Sequence, residues 1–139
     1  MQRKAIIILI LLIAAGIVAL AVWKWTFKKS DISMASKKAD VEIEAGILAQ
    51  AFESNEEDAN ARYLGKVIVV SGVIGAMGEE GQNLSVYLKK GDDLSGVMCT
   101  FSIGSVDTSR IKVGNTVKIK GICDGYLMDV KLNKCSLEK

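Results

Sequence analysis

The sequence predicts a mainly β protein: a five-stranded Greek-key barrel, preceded by short helices and by a single membrane-spanning helix. Three observations support this prediction. An unbroken apolar run fills residues 5–23. Apolar residues at helical spacing then continue to Tyr63. From Gly65 onward the apolar spacing changes from about 3.6 residues to about 2, which is the change from helix to strand.

The apolar run predicts a transmembrane helix over residues 5–25. Its first 19 residues carry no charged side chain. At a rise of about 1.5 Å per residue they would span about 28 Å, close to the roughly 30 Å hydrocarbon core of a bilayer. Indole and ammonium groups favour the membrane interface. The predicted interface residues are Trp23, Lys24, Trp25, Lys28 and Lys29.

A cleaved signal peptide is the alternative interpretation of the same run. Residues 1–4 form a short basic N-terminus with Arg3 and Lys4, and Ala19 to Ala21 form a small-x-small cleavage pattern. The run is longer than the usual apolar region of a signal peptide, so a retained signal-anchor is favoured. Residues 26–39 are polar and basic, and they predict a juxtamembrane linker without regular structure.

The charges are segregated along the chain. Residues 1–39 hold seven of the 18 Lys and Arg residues but only one of the 16 Asp and Glu residues, so residues 40–139 carry a net charge of about −4. Lysines next to the membrane suit anionic lipid headgroups. An acidic domain disfavours nucleic acid as its partner, because binding phosphates requires basic side chains.

Helical spacing predicts helix from Asp40 to Tyr63, with Ser36 or Asp40 as the cap and a break at Ser54-Asn55. The acids at 56–58 would then occupy the first turn of a second helix, where negative charge is favourable.

Five strands are predicted after Gly65, at residues 66–74, 84–89, 96–102, 116–123 and 126–137. Turns are expected at residues 76–83 and at Asp124-Gly125, and a helical turn within residues 105–112. Alternation directs the following side chains inward: Leu84, Val86, Leu88, Val97, Cys99, Phe101, Val117, Ile119, Met128, Val130 and Leu132. It directs Ser85, Tyr87, Lys89, Lys118 and Lys120 outward. Closing so few strands requires strong bending, and Gly72 is the expected bend in the first strand.

Three blocks of the sequence carry a family resemblance. The first is residues 51–59, continued by Tyr63-Leu64-Gly65-Lys66-Val67-Ile68, Val70 and Gly72; the second is residues 97–101; the third comprises Val113, Gly114, Val117, Ile119, Gly121, Cys123, residues 125–130, Leu132 and Cys135. Together they resemble the tRNA_anti-like family of oligonucleotide/oligosaccharide-binding (OB) domains over about residues 40–137.

The resemblance implies an OB-fold barrel with an N-terminal helical cap over residues 40–139. Many members of this mostly bacterial family also resemble the chain in having an N-terminal membrane segment. This favours a single-pass protein of a bacterial inner membrane. The lysines after Trp23 argue for a cytoplasmic barrel, whereas the short basic N-terminus argues for an extracytoplasmic one, which we favour. Nucleic-acid binding follows here only by analogy with the fold.

The composition argues against enzyme chemistry. The chain has no histidine, which removes Ser-His-Asp and Cys-His catalysis and the commonest metal ligand. Cys99, Cys123 and Cys135 fit no CxxC pattern, and no phosphate-binding glycine motif is present. We therefore expect no catalytic residues, no metal and no cofactor.

The three cysteines are all predicted to lie on strands. They are either buried free thiols or, outside the cytoplasm, partners in one disulfide. Cys123 with Cys135 is the first candidate pair and Cys99 with Cys135 the second.

OB domains bind ligands on the outer face of their second and third strands. The predicted ligand face comprises Tyr87, Lys89 and Lys90, with Tyr126 near the last hairpin. One such aromatic is few for a base-stacking platform, and a solvated strand face is the alternative. The sequence thus predicts a non-enzymatic, membrane-anchored module that binds a protein, peptide or glycan. A single-stranded nucleic-acid binder and a structural subunit of an envelope assembly are the alternatives.

Overall fold

The structure is a computed structural model that describes residues 6–7, 13–22, 34–89 and 94–139. The chain divides into two compact units, Met1–Asp31 and Ile32–Lys139. In the first unit, residues 6–7 and 13–22 are helical. Among the described residues, no helix combines the length and the apolar character needed to cross a membrane. The predicted interface residues Trp23, Lys24, Trp25, Lys28 and Lys29 lie outside the described residues.

The second unit contains a six-stranded sheet and two helices in its described part. The strands are β1 (Val41–Glu44), β2 (Val67–Glu80), β3 (Asn83–Leu88), β4 (Val97–Ser102), β5 (Thr116–Tyr126) and β6 (Val130–Leu137). The helices are α1 (Ala45–Ser54) and α2 (Glu56–Tyr63). Short 3-10 turns lie at Met34–Ser36 and Thr108–Arg110.

The sheet closes into a five-stranded barrel. The strand order is β1-β2-β3-β4-β6-β5, and β2 also pairs with β5. Within the barrel, β4 and β6 run parallel and the other neighbours are antiparallel. The predicted closed barrel is confirmed, with β1 added alongside β2 as a parallel sixth strand.

Strand β2 achieves this closure because it bends. Residues 67–73 pair with β5, and residues 74–80 pair with β3. At Gly72, a Cβ atom would lie 3.0 Å from the Cβ of Ala45 and 3.3 Å from that of Leu88, so glycine permits the close approach of α1 and β3. Gly75 is bulged between two paired positions. The expected bend is present, but the predicted turn over residues 76–83 is wrong, because pairing with β3 extends β2 to Glu80.

The predicted helix over residues 40–63 is only partly confirmed. Residues 41–44 alternate between half-buried and exposed, and they pair in parallel with residues 68–71 of β2. They form β1, and the helix begins only at Ala45. The break at Asn55 is confirmed, since its side chain accepts a hydrogen bond of 3.1 Å from the N–H of Asp58 and caps α2.

The barrel interior follows the alternation predicted for β3 and β4. Leu84, Val86, Leu88, Val97, Cys99 and Phe101 are all buried. Met128, predicted inward, is 80% exposed, because the last hairpin turns at residues 127–129 and not at Asp124-Gly125.

The end of the predicted linker is docked on the barrel. Met34 is only 4% exposed. Lys120, predicted outward, is 7% exposed; its Nζ donates a 3.4 Å hydrogen bond to the carbonyl of Ala35 and forms an ion pair with Glu138. Burial of a lysine is tolerated when the ammonium is paired in this way. Met34 and Ala35, which lie within the predicted linker, therefore pack against the barrel.

This docking predicts that Met34→Ala destabilises the domain by about 2–4 kcal/mol, because it removes a buried side chain. Leu94→Ala is the control: Leu94 is 95% exposed, and its truncation should cost less than about 0.5 kcal/mol. Urea unfolding of the detergent-solubilised chain measures both. Equal midpoints for the two variants would show that the Met34 turn does not pack on the barrel.

Candidate ligand-binding face

The register aligns one row of side chains across four strands. Tyr87 of β3 lies directly opposite Ala76 of β2 on one side and Met98 of β4 on the other. Met98 in turn lies opposite Lys131 of β6. Side chains at directly opposed positions share one face of a sheet and lie close together. Tyr87, Met98 and Lys131 are half-buried, so their side chains are partly accessible to solvent and partly packed against neighbouring residues.

A second row runs beside the first. Ser85 lies opposite Gly78 and Thr100, so two hydroxyl groups neighbour Tyr87 and Met98 along the strands. The row beyond it pairs Asn83 with Ser102 and Glu80. We call the surface formed by Tyr87, Met98, Ser85, Thr100 and Lys131 the binding face. It combines one aromatic ring and one thioether with neutral hydrogen-bonding groups, and among its described side chains Lys131 carries the single charge.

The ammonium group of Lys89, which is predicted for the ligand face, contacts the β5–β6 turn and the residues before β4. Its Nζ lies 3.4 Å from a carboxylate oxygen of Asp129 and donates to the carbonyl of Leu94 at 3.5 Å. It also borders a cavity of about 250 Å³ with Ser71, Ser95 and Thr116. Lys90 lies outside the described residues. The ammonium of Lys89 therefore contacts Asp129 and Leu94, and the role predicted for Lys90 stays a prediction.

Tyr126 lies on the opposite side of the sheet from Tyr87. It is opposite Val130, which is opposite the buried Val97, so this row points into the barrel. Its ring stacks on Phe52 of α1 at a centroid distance of 5.8 Å and an angle of 22°. Tyr126 thus packs the edge of the core, and the structure does not bring it together with Tyr87.

The cysteines are three buried free thiols. Neither candidate pair, Cys123 with Cys135 or Cys99 with Cys135, is bonded in this structure. Cys123 lies opposite Leu132, three residues before Cys135, whereas the thiol of Cys135 is a hydrogen-bond neighbour of Cys99. Burial raises the pKa of the Cys99 thiol well above its ordinary value, and this neighbour raises it further.

Within the described parts of the chain, no cluster of three or more His, Cys, Asp or Glu side chains could hold a metal ion. The binding face contains hydroxyls, one phenol and one ammonium. These groups can contact a ligand through hydrogen bonds, stacking and apolar surface.

Sequence reasoning missed Met98, Thr100 and Lys131. Alternation alone would have placed Met98 and Thr100 on the outer face of β4. Their alignment with Tyr87 depends on the strand register, and that of Lys131 depends on the parallel pairing of β4 with β6. Neither is encoded in local spacing.

The closed barrel of β2 to β6, with its outward row on β3 and β4, defines an OB-fold domain. The family comparison agrees with this class. The model of the tRNA_anti-like family matches residues 1–137, and the chain belongs to that family. No curated protein matches the chain.

Solved structures that are similar to the chain come from diverse organisms. One is a Klebsiella pneumoniae lipoprotein whose suggested activity is nucleic-acid binding; it is 22% identical, with a TM-score of 0.57, and the match covers 81% of this chain and all of that one. A second is the S. pombe Stn1–Ten1 complex, with 20% identity, a TM-score of 0.41 and coverage of 52% and 56%. A third is the aspartyl-tRNA synthetase of Entamoeba histolytica, with 13% identity, a TM-score of 0.42 and coverage of 60% and 20%. The first of these supports the fold assignment.

Asp129 connects the residues before β4 to the β5–β6 turn through a hydrogen bond. Its carboxylate accepts a 2.8 Å hydrogen bond from the N–H of Gly96, and the N–H of Val130 donates to the carbonyl of Gly96 at 2.9 Å. This places the start of β4, and hence Met98, next to β6. The ion pair with Lys89 is partly exposed and contributes less.

We predict a graded effect of substitutions at Asp129. Asp129→Ala leaves the Gly96 N–H without its acceptor and should cost about 1–3 kcal/mol. Asp129→Asn keeps an acceptor oxygen and loses only the ion pair, so it should cost less than about 1 kcal/mol. Chemical denaturation compares the two variants. An equal loss for Asn and Ala would mean that the ion pair, which both variants lack, and not the Gly96 hydrogen bond, holds the loop.

Proposed function

We propose that this protein is a non-enzymatic OB-fold binding module that is held at a membrane and binds a peptide or a glycan on its binding face. The observation that carries the proposal is the aligned row of Tyr87 and Met98 with the hydroxyls of Ser85 and Thr100 beside it. Peptide groups and sugar hydroxyls form hydrogen bonds with such hydroxyls. A sugar ring or an apolar side chain packs on a tyrosine ring.

The charge distribution supports a ligand other than nucleic acid. Residues 40–139 carry a net charge of about −4. Glu80 lies on the outward row next to the binding face, at the end of β2. Binding to a phosphate backbone depends on several neutralising cations, whereas Lys131 is the single charged group of the binding face.

Single-stranded nucleic acid is the second candidate ligand. The tRNA_anti-like family relationship and the nucleic-acid binding suggested for the Klebsiella pneumoniae lipoprotein favour it. One base could stack on Tyr87 while Lys131 contacts a phosphate, and stacking on one ring contributes about 1–3 kcal/mol. One stacking ring and one cation make a weaker and less extended site than an OB domain normally uses.

The membrane attachment rests on the sequence of residues 5–25. Their apolar character and length suit a single signal-anchor helix, and Trp23 and the lysines that follow suit the interface. With the short basic N-terminus retained inside a bacterial cell, the barrel would lie outside the cytoplasm. A ligand from the cell envelope would then be within its reach.

The proposed site predicts that Tyr87→Ala lowers ligand affinity at least about tenfold, which corresponds to about 1.4 kcal/mol. Isothermal titration of the full chain in lipid nanodiscs would use a disaccharide–pentapeptide cell-wall fragment and the oligonucleotide dT12 as probes. Lys118→Ala is the control, because it lies on β5, which pairs with neither β3 nor β4, and loses only an exposed ion pair. Salt-sensitive binding of dT12 that Tyr87→Ala abolishes, without binding of the cell-wall fragment, would overturn the peptide or glycan proposal.

The proposed placement predicts that a C-terminal alkaline phosphatase fusion is active in bacterial cells and remains in carbonate-washed membranes. Deleting residues 5–25 should abolish both properties, because that segment supplies the anchor and the export signal. A C-terminal fusion to a fluorescent protein that folds only in the cytoplasm gives the opposite readout. An inactive phosphatase fusion, together with fluorescence from this second fusion, would place the barrel inside the cell.

A further inference from the structure

Strand β6 contains a bulge that changes which residues face the interior. Asn133 lies opposite Ile122 and Ser136 lies opposite Lys120, so three steps along β6 match two along β5. Lys134 takes up the extra residue with a φ of 53°, in the left-handed region that non-glycine residues seldom adopt. A bulge of this kind shifts the side chains that follow it to the other face.

The bulge turns Cys135 into the barrel. Cys135 is only 7% exposed, and its thiol donates a 3.3 Å hydrogen bond to the carbonyl of Leu132. The absence of a side chain at Gly121 makes this position available, since a Cβ there would lie 2.7 Å from the sulfur of Cys135. Without the bulge, simple alternation along β6 from Leu132 would direct residue 135 outward.

Cys99 lies on β4, the strand that pairs with the same part of β6. It is fully buried on β4, directly opposite Leu132 in the parallel β4–β6 register. Both thiols therefore converge on Leu132, and they are hydrogen-bond neighbours of each other. Cys123 faces Leu132 from β5 but is not part of this contact.

We propose that Cys99 and Cys135 form an internal disulfide that joins the parallel strands β4 and β6 in the exported protein, while Cys123 remains a free thiol. The proposal rests on the extracytoplasmic placement proposed above, because a structural disulfide persists in an oxidising compartment. The bond would join two of the strands that carry the binding face, β4 with Met98 and Thr100 and β6 with Lys131.

The reaction is a two-electron oxidation by thiol–disulfide exchange. One thiolate attacks a sulfur of an oxidant disulfide and forms a mixed disulfide. The second thiolate then attacks the cysteine sulfur of the mixed disulfide and breaks its bond to the oxidant, so that the Cys99–Cys135 bond forms and both sulfurs of the oxidant have left as thiols. The two cysteine protons and two electrons end on the reduced oxidant.

Burial requires this exchange to occur during folding. Both thiols lie inside the closed barrel, and burial raises the pKa of Cys99, so little reactive thiolate exists at neutral pH once the barrel has closed. The chain that folds in a reduced state should resist later oxidation. The chain that folds in the presence of an oxidant should acquire the bond.

The test refolds the full, detergent-solubilised chain from denaturant in a mixture of reduced and oxidised glutathione. Free thiols are then alkylated in denaturant, and tryptic peptides are analysed by mass spectrometry. We expect one disulfide that links the Cys99 and Cys135 peptides, with Cys123 alkylated. Reduction should lower the melting temperature by more than about 10 °C, given the length of the loop that the bond closes.

Cys123→Ala is the matched control, since it removes a buried cysteine and should leave the bond intact. Cys99→Ala and Cys135→Ala should each leave no reducible pair. Three alkylated cysteines in the refolded wild type, or a bond that includes Cys123, would overturn the pairing; these results do not depend on whether either alanine variant folds.

Membranes from cells that express the full chain complete the test, with thiols trapped by acid before alkylation. The Cys99–Cys135 bond should be present in cells where the phosphatase fusion is active. Its absence despite an active fusion would overturn the inference. An inactive fusion, with the bond formed only in glutathione, would instead mean that the proposed placement is wrong and that the inference for the exported protein falls with it.

Discussion

The bend of β2 is the constraint on which the rest of the structure depends. One strand must pair with β5 over its first half and with β3 over its second, and a straight strand cannot do both. Gly72 and Gly75 make the change of direction possible. Gly72 lets α1 and β3 approach the backbone closely, and the bulge at Gly75 re-aims the strand. Barrel closure pairs both halves of β2, and the barrel encloses one apolar core.

The same bend determines where the binding face lies. The bulge at Gly75 brings Ala76 opposite Tyr87 after Ile74 has been placed opposite Leu88. A shift of one residue in this register would exchange the buried and exposed faces of β3, and Tyr87 would point into the core. The parallel pairing of β4 with β6 then adds Lys131 to the row. The chemistry of the face is therefore a consequence of register, and through register of the glycines in β2.

Local patterns in the sequence predict the elements whose burial alternates regularly. β3 and β4 are of this kind, and the two helices follow from their spacing and from the break at Asn55. Elements that depend on distant partners were missed. β1 is too short to distinguish its alternation from the start of a helix, and the second half of β2 contains glycine and glutamate, which disfavour strands until β3 pairs with them.

In the candidate site, too, local alternation predicts some residues, and others depend on distant strand pairing. Tyr87 could be predicted because it alternates with buried residues within one strand. Met98 and Lys131 required the register, and Tyr126 was misplaced because the last hairpin turns later than its glycine suggests. The inward direction of the Cys135 side chain also could not be predicted from local alternation, because it depends on the bulge at Lys134.

Site-specific photo-crosslinking in living bacterial cells tests most directly whether β3 and β4 carry the ligand site. A photoreactive residue would replace Ser85 or Thr100 on the binding face, and Lys118 on β5 as the control position. The account predicts adducts from Ser85 and Thr100, none from Lys118, and loss of the adducts on treatment with protease or glycosidase but not with nuclease. Adducts that form equally from Lys118, or that only nuclease removes, would contradict it.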